Sequence, residues 1–175
     1  NLRLLFTCQM LSPGKKLNFM GSEFGQEREW AAQSELDWWL LSDPAHAGIA
    51  RLARDLNRLY RNSPALHELD HSAEGFAWID CHDAGQSIVC FERRARNGAG
   101  LIVILNFTPV PRIGYRIGLP WPGAYDEIFN SDSHYYGGSD VGNCSRTQAE
   151  ARAWMNRAYS ASVTVPPLGA VILAP

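Results

Sequence analysis

The sequence has no surplus of basic residues and no long apolar run. Its 175 residues include 16 lysines and arginines against 18 aspartates and glutamates, a formal net charge of −2. A nucleic-acid or anionic-membrane surface needs a basic excess, so we expect neither partner. The longest apolar runs, "GLIVIL" and "GAVILA", are far shorter than the roughly 20 residues that span a bilayer. Because 46% of its residues are hydrophobic and only 19% are charged, the sequence indicates a globular protein.

Cysteine is scarce, and no two cysteines form a C-x-x-C pair. The four cysteines are Cys8, Cys81, Cys90 and Cys144. Cysteines scattered in this way need no disulfide framework, so we expect reduced thiols and a cytoplasmic location. Zinc sites usually have paired ligands, and the adjacent Cys81 and His82 are too unspecific to predict one. We expect no metal site.

The first residues lack the features of a signal peptide. "NLRLLFTCQML" has no basic leader and no small-residue cleavage site, and it does not begin with methionine. We expect it to be the interior of a longer protein. Its apolar residues lie on nearly every face, which predicts a buried helix over 2–11. Pro13 and Gly14 end that helix, and Leu17 to Met20 is predicted as a short buried strand.

Residues 21–66 continue the pattern of an α/β domain. A long loop, 21–47, is followed by helical apolar spacing over 48–61, with Leu52 and Leu56 on the apolar face. Helix, buried strand, loop and helix are typical of α/β folds. One strand and two helices cannot close such a domain. Residues 1–66 are therefore predicted to be a piece of an α/β domain whose other elements lie outside this sequence.

After residue 67 the pattern changes to short β-rich runs separated by turns. These runs are "GFAWID", "QSIVCFERR", "GLIVILNFT", "GYRIGL", "SVTV" and "GAVILA". Asn97-Gly98 predicts a hairpin, and the unbroken apolar "LIVIL" predicts a strand covered on both faces. Residues 67–175 are thus predicted to form an antiparallel β-sandwich. A weaker helical pattern occurs only over 148–158.

The best candidate for a functional site is the loop that follows the predicted strand, "NFMGSEFGQEREW". A strand that ends in a Gly-rich acidic loop before a helix fits the C-terminal rim of a (β/α)₈ barrel, where such enzymes place their active sites. Trp30, Trp38 and Trp39 offer aromatic faces beside carboxylates, which suits a sugar ring. The alternative is that Trp38 and Trp39 only anchor a long loop.

Acidic residues in this loop raise the question of catalysis. Glycoside chemistry needs two carboxyl groups that flank the bond. Candidates are Glu23, Glu27, Glu29, Glu35 and Asp37. Catalytic residues of barrel enzymes usually come from several strands, so ion-paired or solvated acids are the favoured interpretation. His82-Asp83 resembles half of a catalytic pair, but a polar hairpin tip is favoured there.

Several segments together resemble the C-terminal end of bacterial 1,4-α-glucan branching enzymes of the α-amylase superfamily. They are "PGKKLNFMGSEFGQEREW", "SELDWWLL", "RLARDLNRLYRNSPALHELD", "GFAWID", "VILNFTPVPRIGYRIGLP", "NSDSHYYGGSDVGN" and "PPLGAVILAP". Residues 147–161 match poorly. Ser22 and Gln33-Ser34 stand where the family tends toward Gly and Asp-Gly. These departures affect the fine geometry of the loop and not the resemblance itself.

The resemblance implies an enzyme that cuts an α-1,4 link, holds the cut chain as a covalent ester, and transfers it to a 6-hydroxyl without metal or cofactor. It implies that residues 15–20 and 48–61 are the eighth strand and helix of a (β/α)₈ barrel, and that residues 1–11 form the preceding helix. The β-rich remainder is implied to be an amylase-type C-terminal sandwich.

The resemblance also assigns the site residues and partners. No catalytic residue is expected in this chain, because the nucleophile and acid/base lie earlier in such enzymes. Glu23 and Gln26 are expected to organise the rim, and Trp30 and Trp38 to touch glucan. The expected partners are an α-glucan and the rest of the barrel. The alternatives are a stand-alone glucan-binding module and another hydrolase of the superfamily. "GSEFGQEREW" with "ELDW" favours branching over such a hydrolase.

Overall fold

A computed structural model describes residues 1–144 and 146–175. The helices are α1 (Leu2–Leu11) and α2 (Pro44–Asn62). The strands are β1 (Phe76–Asp80), β2 (Ile88–Arg94), β3 (Gly100–Asn106), β4 (Arg112–Leu119), β5 (Ala124–Asn130), β6 (Arg146–Gln148), β7 (Tyr159–Val165) and β8 (Gly169–Ala174). No helix in these two described ranges is both long and apolar enough to cross a membrane.

Both predicted helices are present. α1 buries Leu4, Phe6 and Leu11. α2 begins at Pro44, four residues before the predicted start, because Asp43 caps it by accepting a hydrogen bond from the amide of Ala45 at 2.7 Å. Proline at the first helical position has no amide proton to leave unsatisfied, so it reinforces this start.

The strands form an antiparallel sandwich. One sheet has six strands in the order β1-β2-β3-β8-β5-β6, and β4 pairs with β7 in a second sheet. Apolar side chains such as Ile79, Ile88, Ile117 and Val163 fill the space between the sheets. The predicted all-β sandwich is therefore confirmed.

The other face of the six-stranded sheet is covered by α1 and α2. Leu11 and Leu56 from the helices share one apolar cluster with Val103 from β3 and Ile172 from β8. Neighbouring Ile102 belongs instead to the cluster between the sheets. Successive side chains of a strand point to opposite faces, so "LIVIL" is buried on both sides, as predicted.

The hairpin at Asn97-Gly98 is also confirmed. β2 and β3 pair antiparallel from Ile88 with Asn106 to Arg94 with Gly100. Gly98 has a φ of 84°, in the left-handed region that glycine adopts most easily.

Two predicted elements are absent. Leu17 to Met20 is not a strand, and its side chains are exposed rather than buried. A strand needs a partner for its backbone groups, and none pairs with this segment in the described part of the chain. Residues 148–158 form no helix; β6 ends there and two isolated β-bridges follow. β5 and β6 are further strands that the sequence pattern missed.

Arg93 of β2 connects the helical and β parts. Its side chain is fully buried and donates hydrogen bonds to the carbonyls of Leu11 at 2.6 Å, Leu66 at 3.1 Å and Gly75 at 3.4 Å. These carbonyls belong to the last residues of α1 and of two short 3₁₀ turns. The division of the chain at residue 66 remains a prediction. The helices and the six-stranded sheet share one apolar core, and a shared core does not define the boundary between a barrel and a β domain.

Candidate functional site

The acidic loop begins with a tight turn around Gly21. A 3₁₀ turn, Ser22–Phe24, lies between Gly21 (φ 86°) and Gly25 (φ 71°). The side chain of Gln26 occupies the space beside Gly21, where a Cβ would lie only 2.9 Å from the Gln26 Cβ. Phe24 is buried beneath the turn. The glycines therefore allow the chain to fold back so that Gln26 packs against its start.

Gln26 joins distant parts of the loop. Its Oε1 accepts a hydrogen bond from the amide of Asp37 at 2.8 Å, and its Nε2 donates to the carbonyl of Arg28 at 2.9 Å. Glu23 is half-buried, and its side chain makes no hydrogen bond to any part of the chain that the structure describes. Gln26 thus links segments of the loop by side-chain hydrogen bonds, and whether it or Glu23 organises a substrate-facing rim stays a prediction.

The acids of the loop have different surroundings. Asp37 pairs with Arg28 at 2.8 Å, and Arg28 also donates to the carbonyl of Glu35 at 3.1 Å. Glu27 lies 4.0 Å from Nε2 of His46, but its side chain is 82% exposed. Glu29 and Glu35 are exposed as well. These environments fit ion-paired or solvated carboxylates.

Trp30 and Trp38 each pack against another aromatic ring and keep part of their surface exposed to solvent. Trp30 meets Phe19 edge to face at 5.5 Å between ring centroids, and Trp38 packs on Phe24 at 5.2 Å. Their exposed fractions are 39% and 52%. Both therefore have aromatic surface available for a ligand, and Trp39 is more exposed still.

A cavity of about 400 Å³ opens beside this loop. Its lining includes Phe19, Met20, Gln26, Glu29 and Trp30. Glu23 and Trp38 do not line it, so the structure brings together only two of the four expected rim residues there. Aromatic and amide groups in one cavity can bind a sugar ring through its C–H face and hydroxyls. Which of these residues contacts a ligand remains a prediction.

His82 and Asp83 do not form a catalytic pair. Asp83 accepts hydrogen bonds from the Tyr115 hydroxyl and from the Gln86 side chain, each at 3.1 Å. The amide of His82 donates to Asp80 at 2.9 Å. Burial raises the pKa of the Tyr115 hydroxyl, and its hydrogen bond to the negatively charged Asp83 carboxylate raises it further. The segment is a polar connection between β1 and β2.

The described part of the chain has no candidate metal centre. Within residues 1–144 and 146–175, no three His, Cys, Asp or Glu side chains are grouped so that they could hold an ion.

A second, larger cavity of about 650 Å³ lies in the β-sandwich. Its lining includes Asp80, Gln86, Arg112, Ile113 and Trp154. We call it the sandwich cleft. The sequence did not indicate it, because its residues come from three separate segments and no local motif links them.

Known proteins resemble both the helical part and the β part of this chain. A family model described as "Alpha amylase, C-terminal all-beta domain" matches residues 78–175. The 1,4-alpha-glucan branching enzyme GlgB of Nitrosomonas eutropha is 57% identical over 173 residues, which are 99% of this chain and 24% of that protein. GlgB of Methylobacillus flagellatus is 59% identical over 175 residues, 100% of this chain and 24% of that protein. The chain thus spans about a quarter of the length of the curated relatives it matches.

A solved structure has a similar fold. The chain matches the crystal structure of an alpha-amylase from H. orenii with a TM-score of 0.61 and 16% identity, over 99% of this chain and 35% of that one. At this identity the match concerns the fold alone. The sequence identities confirm the resemblance to branching enzymes that the motifs indicated.

Proposed function

Because the chain belongs to the family of alpha-amylase C-terminal all-beta domains, we propose that it is the C-terminal portion of a 1,4-α-glucan branching enzyme. The parent protein would transfer an α-1,4-glucan segment to a 6-hydroxyl and so form α-1,6 branches in glycogen biosynthesis. The identity to enzymes of that name over the whole chain supports this proposal.

The chemistry belongs to residues outside this chain. A retaining transfer needs one carboxylate as nucleophile and a separate carboxyl group that acts first as acid and then as base. The acids of the Glu23 loop are ion-paired, solvated or half-buried. One carboxylate cannot both attack the anomeric carbon and protonate the leaving oxygen on its other side. The chain by itself is expected to be inactive.

One observation carries the proposal that residues 1–66 complete a barrel. Leu5, Leu17, Phe19 and Met20 are each at least half exposed, and Leu17 reaches 77%. They come from α1 and from the unpaired segment predicted as a strand. Exposed apolar side chains concentrated in one part of a chain mark an interaction site. Neighbouring barrel strands would pair with the segment and cover these side chains.

The rim loop would then face the substrate. Its aromatic groups Trp30 and Trp38 would contact the glucan, while Gln26 and Glu23 would support the loop. We also propose a cytoplasmic location, which the exposed thiols of Cys81 and Cys144 support, since cytosolic proteins keep such thiols reduced.

Amylose assays test the proposal on two proteins, the longer reading frame that contains this chain and the 175-residue chain alone. Iodine staining reports long linear segments, and a reducing-end assay reports hydrolysis. We expect the longer protein to lower the iodine colour with no matching rise in reducing ends. Equal changes in both signals would show a hydrolase instead. We expect no change from the 175-residue chain. A fall in colour that Glu23→Gln abolishes would place a catalytic acid in this loop and contradict the proposal.

A further inference from the structure

His46, in the first turn of α2, contacts the loop over residues 21–43, which we call the rim loop. Only 17% of its side chain is exposed, and Nδ1 lies 2.9 Å from the carbonyl oxygen of Phe24. A carbonyl oxygen can only accept a hydrogen bond, so Nδ1 carries the proton and donates it. The imidazole therefore ties the rim loop to the helix that follows it.

The second ring nitrogen of His46 faces another part of the rim loop. Nε2 lies 4.0 Å from a carboxylate oxygen of Glu27, and Glu27 lines the same cavity as Trp30. The Glu27 side chain is 82% exposed, so water weakens its attraction to the ring. The hydrogen bond to the Phe24 carbonyl is therefore the stronger of the two contacts.

The turn that His46 holds supports the ring of Trp38. Phe24 is 1% exposed, and the Trp38 ring packs on the Phe24 ring with 5.2 Å between their centroids. A Cβ at Gly25, the next residue, would lie 3.7 Å from Nδ1 of His46 and 3.1 Å from a methyl carbon of Leu2. The turn thus fits closely between α1, α2 and the tryptophan. A shift of the Phe24 backbone would move the ring of Trp38 with it.

The helix that carries His46 is itself held by the β domain, through the segment that follows β5. Arg51 of α2 donates to the carbonyl of Tyr135 at 2.7 Å. The Tyr136 hydroxyl donates to the carboxylate of Asp55, also on α2, at 3.1 Å. A group on a supported helix is held more precisely than a group on a loop. α2 therefore gives the imidazole a fixed position from which to hold the rim loop.

From these contacts we propose that His46 is a positioning residue: its hydrogen bond to the Phe24 carbonyl fixes the turn that presents the Trp38 ring to the substrate. This inference rests on the proposed function for the substrate and for the contact between Trp38 and glucan. His46 itself touches neither the glucan nor the reacting atoms. The sequence did not indicate this role, because 22 positions separate His46 from Phe24 and no local motif links them.

The test compares substitutions of His46 in the longer protein that contains this chain. His46→Asn keeps an amide nitrogen close to the place of Nδ1, whereas His46→Gln puts its amide close to the place of Nε2, and His46→Ala has no donor. We expect His46→Gln and His46→Ala to raise the KM for amylose about fivefold with little change in kcat, the effect of one lost hydrogen bond. His46→Asn should keep the parental KM. Equal KM values for His46→Asn and the variants that lack the donor overturn the proposal.

A double-mutant cycle tests whether His46 acts through Trp38. Trp38→Ala alone should raise the KM about tenfold, as expected when an aromatic contact is truncated. The double variant His46→Gln, Trp38→Ala should also raise it about tenfold, because a support has no further effect once the ring that it supports is gone. Independent contributions would multiply to about fiftyfold, and that result would overturn the proposal.

A control variant and the two amylose assays separate failure of this inference from failure of the proposed function. His71→Ala removes an exposed histidine outside the rim loop and should leave KM and kcat unchanged. If the longer protein branches amylose and the His46 variants do not differ, only the positioning proposal is wrong. If it releases reducing ends instead, the branching assignment is wrong, and the same KM comparison read from reducing ends decides the role of His46. A longer protein that acts on amylose in neither assay overturns both proposals.

Discussion

Arg93 and Asp70 form an ion pair that is almost completely shielded from solvent. The side chains are 1% and 2% exposed, and a guanidinium nitrogen of Arg93 donates to Oδ1 of Asp70. Tyr60 of α2 donates to the second carboxylate oxygen at 3.2 Å. Removal of one partner would leave a buried charge with no counter-ion. The pair therefore couples α2 and the segment after it to the six-stranded sheet.

Arg93→Met is expected to lower the free energy of unfolding by about 3–5 kcal/mol, the usual cost of breaking a buried ion pair. The measurement is urea denaturation of the chain. Arg146→Met removes the exposed pair with Asp126 and should leave the midpoint unchanged. The double variant Arg93→Met, Asp70→Leu should recover part of the loss. Similar midpoints for Arg93→Met and Arg146→Met would contradict the role of the pair.

Gln26→Ala is expected to speed hydrogen exchange at the amide of Asp37. That amide donates to Oε1 of Gln26, and loss of the acceptor opens the loop locally. Gln26→Glu retains an acceptor at this position but cannot donate to the Arg28 carbonyl, so it is the matched control. Hydrogen exchange followed by NMR distinguishes them. Equal exchange in all three proteins would show that Gln26 does not hold the loop.

The isolated chain is expected to self-associate through Leu17 and Phe19. Both side chains are more than half exposed, and apolar surface of this kind favours association. Light scattering at increasing concentration should show larger species for the parent and a shift toward monomer for the double variant Leu17→Ser, Phe19→Ser. Ile113→Ser removes an equally exposed apolar side chain elsewhere and should not change association. A parent that stays monomeric at high concentration would count against the barrel-completion proposal.

Trp38→Ala in the longer protein is expected to raise the KM for amylose about tenfold while kcat changes little. Loss of an aromatic contact made equally in the ground and transition states weakens binding without slowing the chemical step. Trp78→Phe, at an exposed position of β1 outside the rim, retains an aromatic ring and serves as the control. A large fall in kcat with unchanged KM would assign Trp38 a different role.

Local patterns in the sequence were sufficient to predict the helices and the Asn97-Gly98 hairpin. They also predicted that β3 is buried on both faces. Helical periodicity, a turn that needs a left-handed residue, and the apolar character of one strand each depend on residues that are close in sequence. The family motifs likewise identified the relationship to branching enzymes, because they need no three-dimensional information.

Only the tertiary structure determined the features that depend on residues far apart in the sequence. Leu17 to Met20 has a strand-like composition, yet it pairs with no strand in the described residues, since pairing needs a neighbour and not only a propensity. β5 lies between β8 and β6, an order that no local pattern encodes. The buried position of Arg93 and the meeting of Asp83, Ile113 and Trp154 in one cleft also result from chain segments far apart in sequence. Such contacts form only when the whole sheet has closed around its core.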